Sequence, residues 1–235
     1  MRGSLMVAVA QPACADLDVA LNAGRQAEVV RRAGARLVVF PELSLTGYDL
    51  AAPAVAVDDP RLDPIRAACG SAGAIALVGA PVREDDGREY IAMLAVTGEG
   101  ATVVYRKMHL HGEEVHRFTP GEKPTVLEID GWRLGLAICA DAAVPQHAAD
   151  TAALTIDAYV AGTLYGAGPE SATRRDGHMR DRAATHGVWV VLSTTAGPSG
   201  KYRETSGGSG VWAPGGDVVI QAGTEPDAVV AATLH

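Results

Sequence analysis

Three polar residues each close an apolar run: Glu42 after "LVVFP", Lys107 after "TVVYR" and Cys139 after "LGLAI". A free thiol has a pKa of about 8.5 and is mostly protonated at neutral pH, so attack by sulfur needs a base to take the proton and a cation to offset the charge. A carboxylate, an ammonium and a thiol supply that set. Together they can add sulfur to a carbonyl, stabilise the oxyanion that forms and return a proton to the leaving amine. Singly, each has a plainer reading. A lone cysteine ending an apolar run is more often inert packing, and a charged residue at a strand end is more often solvated. The combination is what points to chemistry, because layered α/β proteins build their sites at the carboxyl ends of strands.

Something must bring those ends together. Strand-like runs occupy 5–11, 36–42, 75–82, 90–97, 101–107, 133–139, 158–163, 188–195, 210–214, 217–222 and 227–234. Most are unbroken apolar stretches, the mark of strands buried on both faces. Between them, residues 16–35 read as a helix with Asp16 as its N-cap, Leu17, Ala20, Leu21 and Val30 on one face and Gly34 at its end. Further helices are expected over 59–73, 143–154 and 169–187. Strands alternating with helices, followed by hairpin-like strands, predict an α/β layered fold with mixed sheets, built as one domain over 1–235. The Gly-rich stretch 195–210 reads as a surface loop returning to a strand.

Composition narrows the partners. A net charge of −8 with no basic run disfavours nucleic acid and anionic membranes. No window approaches the ~20 apolar residues of a membrane helix, and the first apolar run reads as a strand, not a signal segment. Cys14, Cys69 and Cys139 lie far apart without C-x-x-C spacing, which fits reduced thiols in a cytoplasmic protein. A small-molecule partner is expected.

The segments "VVFPELSLTGYDL", "YRKMHLHGEEVHRFTPGE" and "LGLAICAD" resemble, in order, the three catalytic blocks of the nitrilase superfamily of carbon–nitrogen hydrolases. "VAVAQ" is similar to that family's first strand and "GSGVWAPGGDVVIQAG" to its late hairpin, so the resemblance spans nearly the whole chain. It implies a four-layer α-β-β-α sandwich of two mixed sheets, pairing into a homodimer or higher homo-oligomer. It implies Glu42 as general base, Lys107 as electrostatic stabiliser, Cys139 as nucleophile and Glu114 as a second glutamate that positions lysine and substrate. Tyr48, Ala140 and Asp141, in the same blocks, are expected at the substrate. The implied activity needs no cofactor: hydrolysis of a small linear amide, ω-amide or N-carbamoyl compound through a thioester, with the amidase-like branches favoured over true nitrilases. A non-catalytic binding or regulatory protein on the same fold is the alternative from another class. The chain departs from the family pattern at Ala140, where a bulky residue is usual, at Gln146 in place of glutamate, and at Thr185–His186 in place of Glu-Asn. These bear on pocket size and on a supporting contact near the site.

Other signals weigh less. His109, His111, Glu113, Glu114 and His116 could suggest a metal, but they read as a loop and His109 belongs to a family block, so none is expected. "SGGSG" raises a serine amidase using Ser206 or Ser209, yet the G-x-S-x-G elbow is not satisfied. "GPSGKY" lacks the leading glycine and the Ser/Thr of a phosphate loop. Arg174, Arg175 and Arg182 form part of a solvated helix face or serve an interface or a substrate carboxylate.

Overall fold

The computed structural model describes residues 3–235. The first half contains β1 (Leu5–Gln11), α1 (Val19–Ala33), β2 (Leu37–Val39), α2 (Asp63–Ala72), β3 (Ile75–Arg83), β4 (Glu89–Val96) and β5 (Ala101–Arg106). The second contains β6 (Val126–Ile129), β7 (Trp132–Ile138), α3 (Ala140–Ala143), α4 (Pro145–Ala152), β8 (Ala158–Thr163), α5 (Pro169–His186), β9 (Trp189–Thr194), β10 (Gly210–Trp212), β11 (Val218–Gln221) and β12 (Ala228–Leu234). They form two six-stranded sheets, ordered β12, β1, β2, β3, β4, β5 and β11, β10, β9, β8, β7, β6. Both are mixed. In each, three parallel strands joined through helices (β1, β2, β3 and β7, β8, β9) are flanked by antiparallel neighbours.

The uninterrupted apolar runs resolve into two faces because side chains alternate along a strand. Val7 and Val9 of β1, with Leu37 and Val39 of β2, point to a core shared with Leu134, Leu136 and Ile138 of β7 and Val160 of β8. Their neighbours Ala8, Ala10 and Val38 pack instead against Val19, Ala23, Ala27 and Val30 of α1 and Ile65 and Ala68 of α2. Across the molecule Ala137, Tyr159, Ala161, Val190 and Leu192 pack under Ala148 of α4 and Met179 and Ala183 of α5. Helices therefore cover both outer faces of a sheet pair, the four-layer α-β-β-α sandwich. Among the described residues no helix is long and apolar enough to cross a membrane.

Several expectations need correction. α1 is capped by Asp18, whose carboxylate accepts from the Leu21 amide at 3.0 Å. Leu17 lies outside the helix, exposed and at φ 64°, while Asp16 accepts from the Gly200 amide instead. β6 has no counterpart among the predicted strands: it is short and only partly buried, so its apolar signal is weak. The predicted strand over 36–42 stops at Val39, which puts Glu42 on a loop. The expected surface loop 195–210 is largely buried, with Thr195, Ala196, Ser199, Thr205 and Ser206 inside.

The loop that carries Glu42 is held by close backbone approach. Gly79 of β3 offers its carbonyl to the Leu45 amide (3.0 Å) and its amide to Ser44 Oγ (3.1 Å). On the helix side, Gln26 donates to the Ser44 carbonyl and Asn22 to the Leu45 carbonyl, which explains two buried amides on an otherwise apolar face of α1. A β-carbon on Gly79 would press on the Leu43 nitrogen and lie 2.7 Å from the Pro41 oxygen. Gly162 of β8 faces the same loop from the other sheet, where a β-carbon would sit 2.8 Å from the Phe40 oxygen. Gly79→Ala is therefore expected to destabilise the fold by about 1–3 kcal/mol, lowering Tm by roughly 3–10 °C. Gly24→Ala, at an exposed point of α1 with open space around it, should instead add about 0.5–1 kcal/mol. Thermal unfolding of the two variants checks the pair.

Candidate active site

The three polar residues at strand ends meet where the two sheets face each other. Glu42 arrives on the loop clasped by Gly79 and Gly162. Lys107 follows β5 directly; its amide donates to the Ile91 carbonyl (2.9 Å) and its carbonyl accepts from the Gly121 amide (2.7 Å). The excursion closed by that second bond carries Glu114 on a single 3-10 turn, Gly112–His116. Cys139 follows β7 in the opposite sheet and stands at φ 47°, ψ −102°, a conformation disfavoured for a residue with a β-carbon. Its amide is tied to the Gly162 carbonyl at 3.0 Å.

Lys107 is the centre of the polar cluster. Its Nζ lies 2.6 Å from Glu42 Oε1 and 2.7 Å from Glu114 Oε1, with all three side chains fully enclosed. Glu114 is fixed further by the Tyr48 hydroxyl, which donates to Oε1, and by the His111 amide at 2.7 Å from Oε2. Glu42 Oε2 is buried and has no hydrogen-bond partner among the described residues, leaving a carboxylate oxygen free to take a proton. Burial raises the Glu42 pKa to about 7, against the opposing pull of Lys107 and with help from Glu114. Burial likewise pushes the Cys139 thiol up, and Glu42 adds to the effect, so the resting sulfur is protonated. Burial works against the Lys107 ammonium, but Glu42 and Glu114 outweigh it and hold the group charged. The Cys139 thiol contacts the Leu164 carbonyl at 3.4 Å.

A cavity of about 330 Å³ opens beside the thiol, walled by Tyr48, Ala140, Leu164, Tyr165 and Tyr202 among others. That is the lower end of the range for small-ligand pockets. Tyr202 stands edge-on to Tyr48, with centroids 5.5 Å apart, and Ser199 Oγ accepts from the Tyr48 amide at 2.9 Å. The segment expected to be a surface loop is thus one wall of the site.

Tyr48 and Ala140 line this cavity, and Asp141 does not. It is buried beneath the nucleophile, and both oxygens are saturated: Oδ1 by the His109 amide (2.8 Å) and ring (2.9 Å), Oδ2 by Tyr105 (2.8 Å) and the Ile138 amide (3.0 Å). It pins β7 and the lysine-bearing segment to each other. Tyr105 continues to His147 Nε2 (2.8 Å), whose Nδ1 meets the Tyr159 hydroxyl (2.9 Å). Burial holds His147 below the usual imidazole range. Tyr105 could have been found from sequence, since it lies two residues before Lys107 near the end of β5, and His109 belongs to the lysine block; His147 and Tyr159 carried no such signal. His111 lines the cavity and His116 is exposed. Among the described residues no three His, Cys, Asp or Glu side chains gather to hold a metal.

Neither serine of "SGGSG" can attack. Ser209 is fully buried and exchanges hydrogen bonds with the Thr194 backbone, while Ser206 is held by Arg175. The arginines divide: Arg175 and Arg182 are buried, Arg182 capping the Ala142 and Ala143 carbonyls, and Arg174 reaches the cavity. Gln146 and Thr185, two of the departures from the family pattern, are exposed. Asp141→Asn presents an amide nitrogen to hydrogen-bond donors and is expected to cost about 2–3 kcal/mol, seen as a lower unfolding midpoint. Gln146→Ala should stay within about 0.5 kcal/mol of the parent.

The sequence matches the family model described as carbon-nitrogen hydrolase over residues 6–235. It is 32% identical to a hydrolase from the pqqF 5′ region of Pseudomonas protegens, over 98% of this chain and 83% of that protein. It is 28% identical to an (R)-stereoselective amidase of Pseudomonas sp., over 94% of this chain and 82% of that one. Among solved structures, a nitrilase-superfamily amidase from Nesterenkonia sp. AN1 superimposes with TM-score 0.86 at 27% identity, covering all of this chain (100%) and 92% of that one. A variant of that amidase shows the acetamide moiety of fluoroacetamide added covalently at its active site cysteine; it aligns with TM-score 0.87 at 28% identity over 100% of this chain and 92% of that one. With the whole chain covered, its four layers reproduced and the acid, lysine and cysteine blocks in order, this protein belongs to the carbon–nitrogen hydrolase family, on the nitrilase-superfamily fold.

Proposed function

We propose that this protein is a cofactor-independent amidase that cleaves a small, linear, non-peptide amide through a thioester on Cys139. The observation that carries the reading is the enclosed Glu42–Lys107–Glu114 cluster set against the Cys139 thiol at a cavity. Burying charged groups costs several kcal/mol per ion before their mutual attraction repays it. A protein that only bound a ligand would gain nothing from that arrangement at a cysteine in a strained conformation.

The steps follow from the protonation states. The resting thiol is neutral, and Glu42, with a pKa raised to about 7, is matched to accept its proton at neutral pH. Sulfur adds to the amide carbonyl, and the oxyanion is stabilised by the Lys107 ammonium and by backbone N–H groups just after Cys139. Glu42 returns the proton to the amine, the carbon–nitrogen bond breaks, and ammonia leaves an acyl thioester on Cys139. Water, deprotonated by Glu42, attacks the thioester; the thiol regains its proton and the carboxylic acid departs. Glu114 and Tyr48 act through Lys107 by fixing where the ammonium points. The amide complex and cysteine adduct recorded for the Nesterenkonia relative favour amides over nitriles here as well.

With butyramide as probe, Cys139→Ala is expected to abolish ammonia release, and acid-quenched parent enzyme to show an acyl increment confined to the peptide containing Cys139. Ammonia release that survives Cys139→Ala overturns the assignment. Because Glu42 must be ionised to act as base, kcat/KM should fall about tenfold per pH unit below its pKa of about 7. A pH–rate profile flat from 5 to 8, to give a rough range, would remove Glu42 from that role.

A further inference from the structure

The cavity beside Cys139 has two chemically different ends. At the reacting end, Glu42 and Glu114 share one ammonium, so a second anion there is repelled. The other end is a stripe of α5, where Ser171, Arg174 and His178 recur on one helical face and line the same cavity. Ser171 is buried, and its Oγ has no hydrogen-bond partner among the described residues. A buried hydroxyl without a partner is uncommon in a native fold and calls for an explanation. Arg174 stands at the exposed rim with no hydrogen bond or ion pair among the described residues, in a protein whose net charge is −8. His178 meets the Tyr165 hydroxyl through Nδ1 at 3.1 Å, which leaves Nε2 to donate when Nδ1 accepts.

The route between the ends is open because α3 presents only Ala140 and Ala143 to the cavity. The small residue at position 140, where the family usually has bulk, thus gives the substrate a path toward α5.

We propose that the substrate carries a carboxylate at the end remote from the scissile amide, and that Arg174, Ser171 and His178 form the subsite that holds it. The inference deepens the amidase reading above and rests on it for the reaction. The shared ligand chemistry is a short chain with an amide or carbamoyl group at one end and a carboxylate at the other. Short ω-amides of dicarboxylic acids and N-carbamoyl amino acids both satisfy it. The opposed charges of the two ends sort the molecule, placing the carboxylate on α5 and the amide at sulfur.

The test compares succinamate and glutaramate, N-carbamoylglycine, and the neutral butyramide and valeramide. The parent enzyme should favour one of the anionic series over the neutral amides in kcat/KM. Arg174→Gln should reduce the anionic-to-neutral ratio of kcat/KM roughly tenfold or more, mainly through KM, and Ser171→Ala by a smaller factor in the same direction. Which anionic series is preferred identifies the substrate as ω-amide or N-carbamoyl compound. Calorimetry on Cys139→Ala protein supplies a readout independent of turnover: glutarate should bind, and about tenfold more weakly when Arg174→Gln is added. If no amide is hydrolysed but glutarate binding depends on Arg174, the subsite stands and the amidase reading fails. If neutral amides are turned over as well as anionic ones, and Arg174→Gln changes neither the ratio nor glutarate binding, the subsite is overturned while the amidase reading stands.

Discussion

One enclosed ammonium organises this protein's working end. Lys107 Nζ lies within 2.7 Å of carboxylate oxygens from two separate loops, and nothing of the three side chains reaches solvent. Two carboxylates so close could not both remain ionised without it. Removing either partner from a buried charge pair leaves the other uncompensated at a cost of about 3–5 kcal/mol. The cluster is therefore an all-or-none arrangement, and the backbone around it is correspondingly constrained.

That constraint explains features that look incidental in isolation. Glycines 79 and 162, one from each sheet, lie against the loop bearing Glu42 where any β-carbon would collide. Asn22 and Gln26 sit on the apolar face of α1 because the same loop needs donors for its carbonyls. Cys139 keeps a disfavoured conformation because the Gly162 carbonyl holds its amide and Asp141, two residues on, anchors the strand end through the Ile138 amide. Strain at the nucleophile is offset by a saturated hydrogen-bond network running from Asp141 to Tyr159. Such a network is worth having only when every member is satisfied.

Much of this was legible in the chain. The alternation of apolar runs with amphipathic helices determined the class of fold, because strands covered on both faces must be uniformly apolar. Glu42, Lys107 and Cys139 stood out because polar groups that end such runs arrive at sheet ends. β6 and the wall formed by residues 199–206 were not legible. β6 is too exposed to need an apolar pattern, and the wall is built of Ser, Thr, Gly and Tyr, whose composition matches a surface loop until Tyr48 and Tyr202 are seen together. Asp141 shares the cysteine block with Ala140, but membership of a block does not say which side chain faces the substrate. Helical geometry after Cys139 turns Asp141 inward, while Ala140 faces the cavity.

The order of residues along the chain set which groups were available: an acid, an ammonium and a thiol, each closing an apolar run, with glycine where backbones crowd. Tertiary packing alone settled which acid oxygen is free to take a proton, which tyrosines and histidines support the site from beneath, and that Arg174, of the four arginines on α5, is the one that lines the cavity. The reason is physical. Strand and helix periodicities act between near neighbours and are written locally, whereas burial, pairing and the ionisation they control arise between residues brought together from 65 positions apart, as Glu42 and Lys107 are.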